Sequence, residues 1–241
     1  MARLWRACAV WGLLLALTAC ASTPQQASPD APRLWQYATF SEFAAGGYAG
    51  TLPLSAVAAS GDMGLGTVHG LDGEMIVLDG VIYRADASLA LSRPTLDVAT
   101  PFAQVVRFEP QARGNPAGVK SLAELTAWLD THIPGDGFAA ARIDVKDARL
   151  KIRSVPGFTP PYPTLEQALT RQRVKELEHA SGTLVAVRGP KNHGGIWVPG
   201  WHMHFVSADK TTGGHVLDVA VDKGEARWMT MSRFELDLPP R

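Results

Sequence analysis

The segment Gly200-Trp201-His202-Met203-His204-Phe205-Val206 sets two histidines two positions apart in an otherwise strand-like run. Side chains two apart on a strand share a face, so both imidazoles point the same way. The next strand-like run is Gly213-Gly214-His215-Val216-Leu217-Asp218-Val219. A two-residue loop at Asp209-Lys210 makes the two runs antiparallel, and counting outward from that loop brings His204 opposite His215. Directly opposed Cβ atoms lie about 4.5–5.5 Å apart, close enough for imidazoles to converge on one ion. The C-terminal third is therefore bound to a β-hairpin with three histidines on one face. Three neutral His ligands suit Zn²⁺ or a similar divalent ion and leave a coordination position open, the pattern of a catalytic metal.

Other segments agree with a β-rich chain. Asp79-Gly80 between Glu74-Met75-Ile76-Val77-Leu78 and Val81-Ile82-Tyr83-Arg84 predicts a hairpin, because both turn residues tolerate positive φ. Ser121-Leu122-Ala123-Glu124 has capping-box spacing ahead of a Leu122, Leu125, Leu129 stripe, which predicts a helix over 122–131. Thr164 opens a second helix marked by Leu165, Ala168, Leu169 and Leu177. Phe138 to Ile143 and Leu150 to Val155 read as two strands joined around Lys146-Asp147, and Thr183 to Val187 as another. The expected class is α+β: two packed, mainly antiparallel or mixed sheet halves with a few helices and the metal site on the C-terminal hairpin. The Pro-rich stretch 156–163 marks the best internal boundary.

Lys+Arg 23 against Asp+Glu 23 leaves no net charge and gives no reason to expect nucleic acid as a partner. Arg3 and Arg6 precede an apolar stretch from Ala7 to Leu17, too short to stay in a bilayer as a spanning helix. It ends on Leu17-Thr18-Ala19-Cys20, which resembles a bacterial lipobox. Residues 1–19 are expected to be a signal peptide, with Cys20 lipidated and 20–33 a flexible tether to a domain at 34–241. Ala21 at the position after the cysteine, in place of an aspartate, points to the periplasmic side of the outer membrane. Cys8 then leaves with the signal, so any metal site must use histidine and carboxylate ligands.

The chain is similar to α-acetolactate decarboxylases from about Leu34 to Leu238. The resemblance rests on Gly64-Leu65-Gly66-Thr67, Leu71-Asp72-Gly73-Glu74, Thr100-Pro101-Phe102-Ala103, Ala141-Arg142-Ile143-Asp144 and Arg153-Ser154-Val155-Pro156. It continues through Pro199 to Phe205 and Gly213 to Asp218. It implies zinc ligands at His202, His204 and His215, a catalytic glutamate and arginine at Glu74 and Arg142, and a threonine at the site's edge at Thr67. The implied reaction is decarboxylation of 2-acetolactate to acetoin and CO₂. The His₃-held metal would stabilise the enediolate, Arg142 hold the carboxylate and Glu74 handle the proton. The resemblance also suggests a homodimer. A further C-terminal segment that brings a second glutamate to the metal in the family has no match here, and the role does not transfer to Glu235. Asp144 and Arg153 read as structural.

Two other readings compete. A cupin-like metal dioxygenase or isomerase also carries HxH on a strand, but expects a glutamate a few residues on. A non-catalytic lipoprotein binding zinc or small oxyacids would more often close the metal with a fourth protein ligand. Gly64-Leu65-Gly66 does not complete a dinucleotide fingerprint.

Overall fold

The computed structural model describes residues 31–240, so the signal peptide at 1–19, Cys20 and the tether as far as residue 30 lie outside the described residues. Two sheets dominate. The seven-stranded sheet runs, in spatial order, Arg233–Asp237, Arg33–Tyr37, Ala103–Val106, Met63–Thr67, Glu74–Leu78, Val81–Ala85 and Leu91–Ser92. Its strands pair antiparallel except for Arg33–Tyr37 with Arg233–Asp237, which run parallel.

The six-stranded sheet runs Arg173–Gly189, Gly200–Ser207, Gly213–Ala220, Phe138–Ser154, Lys223–Met231 and Ala112–Gly114. Arg173–Gly189 also pairs with Phe138–Ser154 along its length, so four strands close into a ring. The interior of that ring buries Ile143, Leu150, Ile152 and Phe205 against Leu125 and Leu129 of the helix Leu122–His132. Its outer face meets the seven-stranded sheet through Val185, Val187 and Val206 packed with Leu65, Ile76 and Leu78. Each fully buried side chain of this kind contributes roughly 1.5–3 kcal/mol. The short helices Phe40–Ala44, Leu54–Ser60 and Leu165–Leu169 cover the far face of the seven-stranded sheet.

The sequence hairpin forms over Glu74–Leu78 and Val81–Ala85, with Asp79 and Gly80 both at positive φ. Helix Leu122–His132 starts where expected: the Ser121 hydroxyl accepts the Glu124 N–H, and Asp218 accepts the Leu122 N–H at 2.7 Å. Two boundaries differ. The helix opened by Thr164 ends at Leu169, because Arg173 onward is taken into the ladder with Phe138–Ser154. The two strands expected around Lys146-Asp147 are one seventeen-residue strand. Asp147 turns to positive φ as a bulge, His179 does the same opposite it, and the ladder continues past both. The Pro156 to Pro163 stretch leaves the six-stranded sheet for the helix over the other sheet's far face, placing Phe158 and Tyr162 in that core.

Candidate metal centre

His202 and His204 lie on the strand Gly200–Ser207, and His204 pairs with His215 of Gly213–Ala220 in the register counted from the turn. Lys210 supplies the positive φ of the reversal. The three rings cluster, with centroids 4.9 Å apart for His202–His204 and His202–His215 and 5.4 Å for His204–His215. One nitrogen from each lies within 4.8 Å of the others, and His202 Nε2 is 3.1 Å from His215 Nδ1. His204 is fully buried, whereas His202 and His215 stay partly exposed, so the cluster opens to solvent on their side.

The cluster is held neutral. Burial pushes the His204 imidazole down to about 3, against its hydrogen bond to the Met75 carbonyl, which favours the charged form, and with the Arg153 charge disfavouring that form. Burial likewise lowers His202 and His215 well below the usual histidine range, helped for His215 by Arg153 and for His202 by His204. Neutral imidazoles keep a lone pair for an ion. The His204 Nδ1–H donates to the Met75 carbonyl at 2.9 Å, which fixes the tautomer and leaves Nε2 as the acceptor.

That Nε2 has no hydrogen-bond partner although it is buried, and it stands 3.3 Å from Glu74 Oε2. A lone pair and a carboxylate oxygen face to face repel unless a cation or a proton stands between them. His202 Nδ1 is likewise buried without a partner. The donor set therefore fits a borderline divalent ion, with Glu74 beside it.

Glu74 is 6% exposed. Burial raises its carboxyl above the ordinary glutamate value, partly offset by the charge and hydrogen bond of Arg153. Arg153 Nη1 donates to Glu74 Oε1 at 2.5 Å. Thr67 pairs with Glu74 across the ladder, and its hydroxyl donates to the Gly73 carbonyl at 2.6 Å. Thr67 thus lies beside Glu74, with its hydroxyl turned to the backbone that carries the glutamate.

Arg142 is not in this cluster. Its Nη1 donates to Asp79 Oδ1 at 2.6 Å and its Nε to Asp144 at 3.2 Å. It lines a cavity of about 300 Å³ with Asp62, Met63, Asp79, Gly80 and Phe108, away from the histidines. The arginine beside the glutamate and the imidazoles is Arg153, which sequence reading left as structural. It stands opposite His215 in the ladder, a long-range pairing that no local pattern in the sequence marks. Glu235 is at the other end of the fold, paired with Arg33 at the edge of the seven-stranded sheet. Among the remaining histidines, His69 accepts the Gly50 N–H and His179 pairs with Asp147.

Fold and site together define a two-sheet protein whose facing sheets enclose a three-histidine cluster with a buried acid and an arginine. The family model for alpha-acetolactate decarboxylase matches residues 34–241. Among similar proteins, the alpha-acetolactate decarboxylase of Methanosarcina mazei is 38% identical, over 86% of this chain and 72% of its own. That of Brevibacillus brevis is 35% identical, over 90% of this chain and 78% of its own. The crystal structure of the Bacillus subtilis strain 168 enzyme superposes with a TM-score of 0.83 at 27% identity, over 87% of this chain and 90% of that one. The chain belongs to the alpha-acetolactate decarboxylase family.

Proposed function

We propose that this protein decarboxylates 2-acetolactate to acetoin and CO₂ with a divalent ion, most simply Zn²⁺, held by His202, His204 and His215. The observation that carries the reading is the orphaned His204 Nε2 facing Glu74 Oε2 inside a neutral histidine cluster, in a chain of this family. The bound ion supplies Lewis-acid stabilisation of the negative charge that CO₂ loss leaves on the adjacent oxygens.

The protein's own groups do the rest. Arg153 uses one N–H on Glu74, and its other donors suit a substrate carboxylate held in two-pronged fashion. The bond between the carboxyl carbon and its neighbour breaks as CO₂ leaves, and its electron pair is taken up by the adjacent ketone oxygen. Glu74, whose raised carboxyl keeps a proton more readily than an exposed glutamate, returns a proton to the carbon that lost CO₂. The seven-stranded sheet behind His204 keeps water from that side. In this reading Arg153 takes the role that the sequence resemblance implied for Arg142, because Arg153 is the arginine in contact with Glu74.

The same proposal extends to location. The Leu17-Thr18-Ala19-Cys20 ending supports a lipid anchor at Cys20 and a periplasmic, outer-membrane site of action. The test of function is acetoin release from racemic 2-acetolactate by the purified protein, before and after chelation and after Zn²⁺ is restored. Turnover that survives complete metal removal would overturn the metal reading, and no acetoin from the metal-loaded protein would overturn the activity.

A further inference from the structure

We propose that Ser154 is a positioning residue that sets Arg153 against Glu74 by closing a four-residue circuit between the two sheets. Arg153 Nη1 donates to Glu74 Oε1. Glu74 pairs across the ladder with Ala85. The Ala85 carbonyl accepts the Ser154 hydroxyl at 2.9 Å, and Ser154 follows Arg153 in the chain. The circuit crosses from one sheet to the other twice, once through an ion pair and once through a neutral hydrogen bond.

The second crossing is needed for a physical reason. An arginine side chain has many rotamers, so an ion pair alone tolerates a sliding of one sheet over the other by simply readjusting. A serine hydroxyl has one rotatable bond and a short reach, so its bond to a strand carbonyl fixes the offset. Ser154 and Ala85 are both fully buried, which leaves no water to substitute for a lost donor. On the other flank of Glu74, Thr67 donates to the Gly73 carbonyl. Thr67 thus braces the glutamate from one neighbouring strand, Ser154 anchors the other neighbouring strand at Ala85 from across the sheets, and only Ser154 also governs the arginine.

The inference rests on the reading of Arg153 as the residue that holds the substrate carboxylate. A test independent of turnover uses calorimetry on the metal-loaded full chain with two probes. One is 2,3-dihydroxy-2-methylbutanoate, which keeps the carboxylate and adjacent oxygens but has no ketone and does not decarboxylate. The other is butane-2,3-diol, which lacks the carboxylate. Ser154→Ala is expected to weaken the carboxylate probe about 5–10-fold, the loss typical of one hydrogen bond, with diol binding and metal content unchanged. Ser154→Thr restores the carboxylate probe to within about twofold of wild type, since it keeps the hydroxyl. Should Ser154→Ala not fold, Ser154→Cys keeps a side chain of the same branching with a weaker, slightly bulkier donor and is read the same way. Equal weakening of both probes, or no change in either, overturns the proposal. A wild-type protein that binds the carboxylate probe yet releases no acetoin from 2-acetolactate would instead overturn the proposed activity and leave the positioning result standing.

Discussion

Arg153 and His215 are cross-strand partners. The same rung runs on from His215 to His204, to Val185 and then to Arg142. It therefore begins and ends on one strand, Phe138–Ser154, because the four-stranded ring closes on itself. The two arginines share a rung but stand eleven residues apart along that strand. One end meets Glu74 and the histidines, and the other meets Asp79 and Asp144.

Arg153→Lys should lower turnover nearly as much as Arg153→Ala, by about 10²-fold or more, since an ammonium cannot reproduce a two-pronged grip on a carboxylate. Arg142→Ala should keep turnover within a few-fold of wild type while lowering thermal stability. Steady-state rates of the three variants decide this; an inactive, well-folded Arg142→Ala that retains its metal would return the role to Arg142.

His204→Ala should abolish stoichiometric metal binding, because His204 is the buried member of the cluster and its tautomer is fixed by the Met75 carbonyl. Elemental analysis after dialysis against trace Zn²⁺ reads the result. Full occupancy at unchanged affinity would remove His204 from the centre.

The hairpin that carries the histidines was legible because it is local: two alternating runs and a short turn determine a register by counting. The Asp79-Gly80 hairpin and the Ser121 cap were legible for the same reason. The arginine was not. Whether Arg142 or Arg153 reaches the histidines depends on how a strand pairs on both its edges, with partners 21 to 85 residues further along the chain. The join at Lys146-Asp147 misled in the same way, since a turn-like pair and a bulge look alike until the opposite strand is known to bulge at His179. Helix Leu165–Leu169 stops early because strand pairing outcompetes a weak helical stripe.

Glu74→Gln should leave the metal bound and lower decarboxylation by about 10²–10⁴-fold, the usual contribution of a placed proton donor. Single-turnover acetoin formation, together with metal content, checks it. A rate within threefold of wild type would make Glu74 a bystander.

Asp144 offers a test by pH. Burial alone would raise its carboxyl, but the Thr183 hydroxyl, Arg142 and Arg227 together hold it below the ordinary aspartate value. Its folded pKa is therefore below the unfolded value of about 3.9, so its stabilisation is present above that pH and disappears as pH falls through the folded value. Asp144→Asn should cost about 1–2 kcal/mol at pH 7, allowing for partial solvent screening, and lose less stability than wild type between pH 4 and pH 3. Urea midpoints at pH 7, 4 and 3 measure this, and parallel acid limbs in the two proteins would count against it.

Cys20→Ser should eliminate palmitate labelling of the protein expressed with its own N-terminus and shift it from the membrane to the soluble fraction, with decarboxylase activity retained. Equal labelling of wild type and variant would exclude Cys20 as the acylation site.

The parallel pairing of Arg33–Tyr37 with Arg233–Asp237 joins strands two hundred residues apart. During synthesis from the N-terminus, the Arg33–Tyr37 strand must wait with one side unmatched until nearly the whole domain has emerged. The edge of the seven-stranded sheet then moves out from Arg33–Tyr37 to Arg233–Asp237. A ribosome stalled before residue 233 would hold a chain with an exposed hydrogen-bonding edge, open to pairing with another nascent copy. The same geometry makes truncation near residue 232 more damaging than the loss of a few surface residues, because it uncovers Leu34 and Trp35 along with the edge.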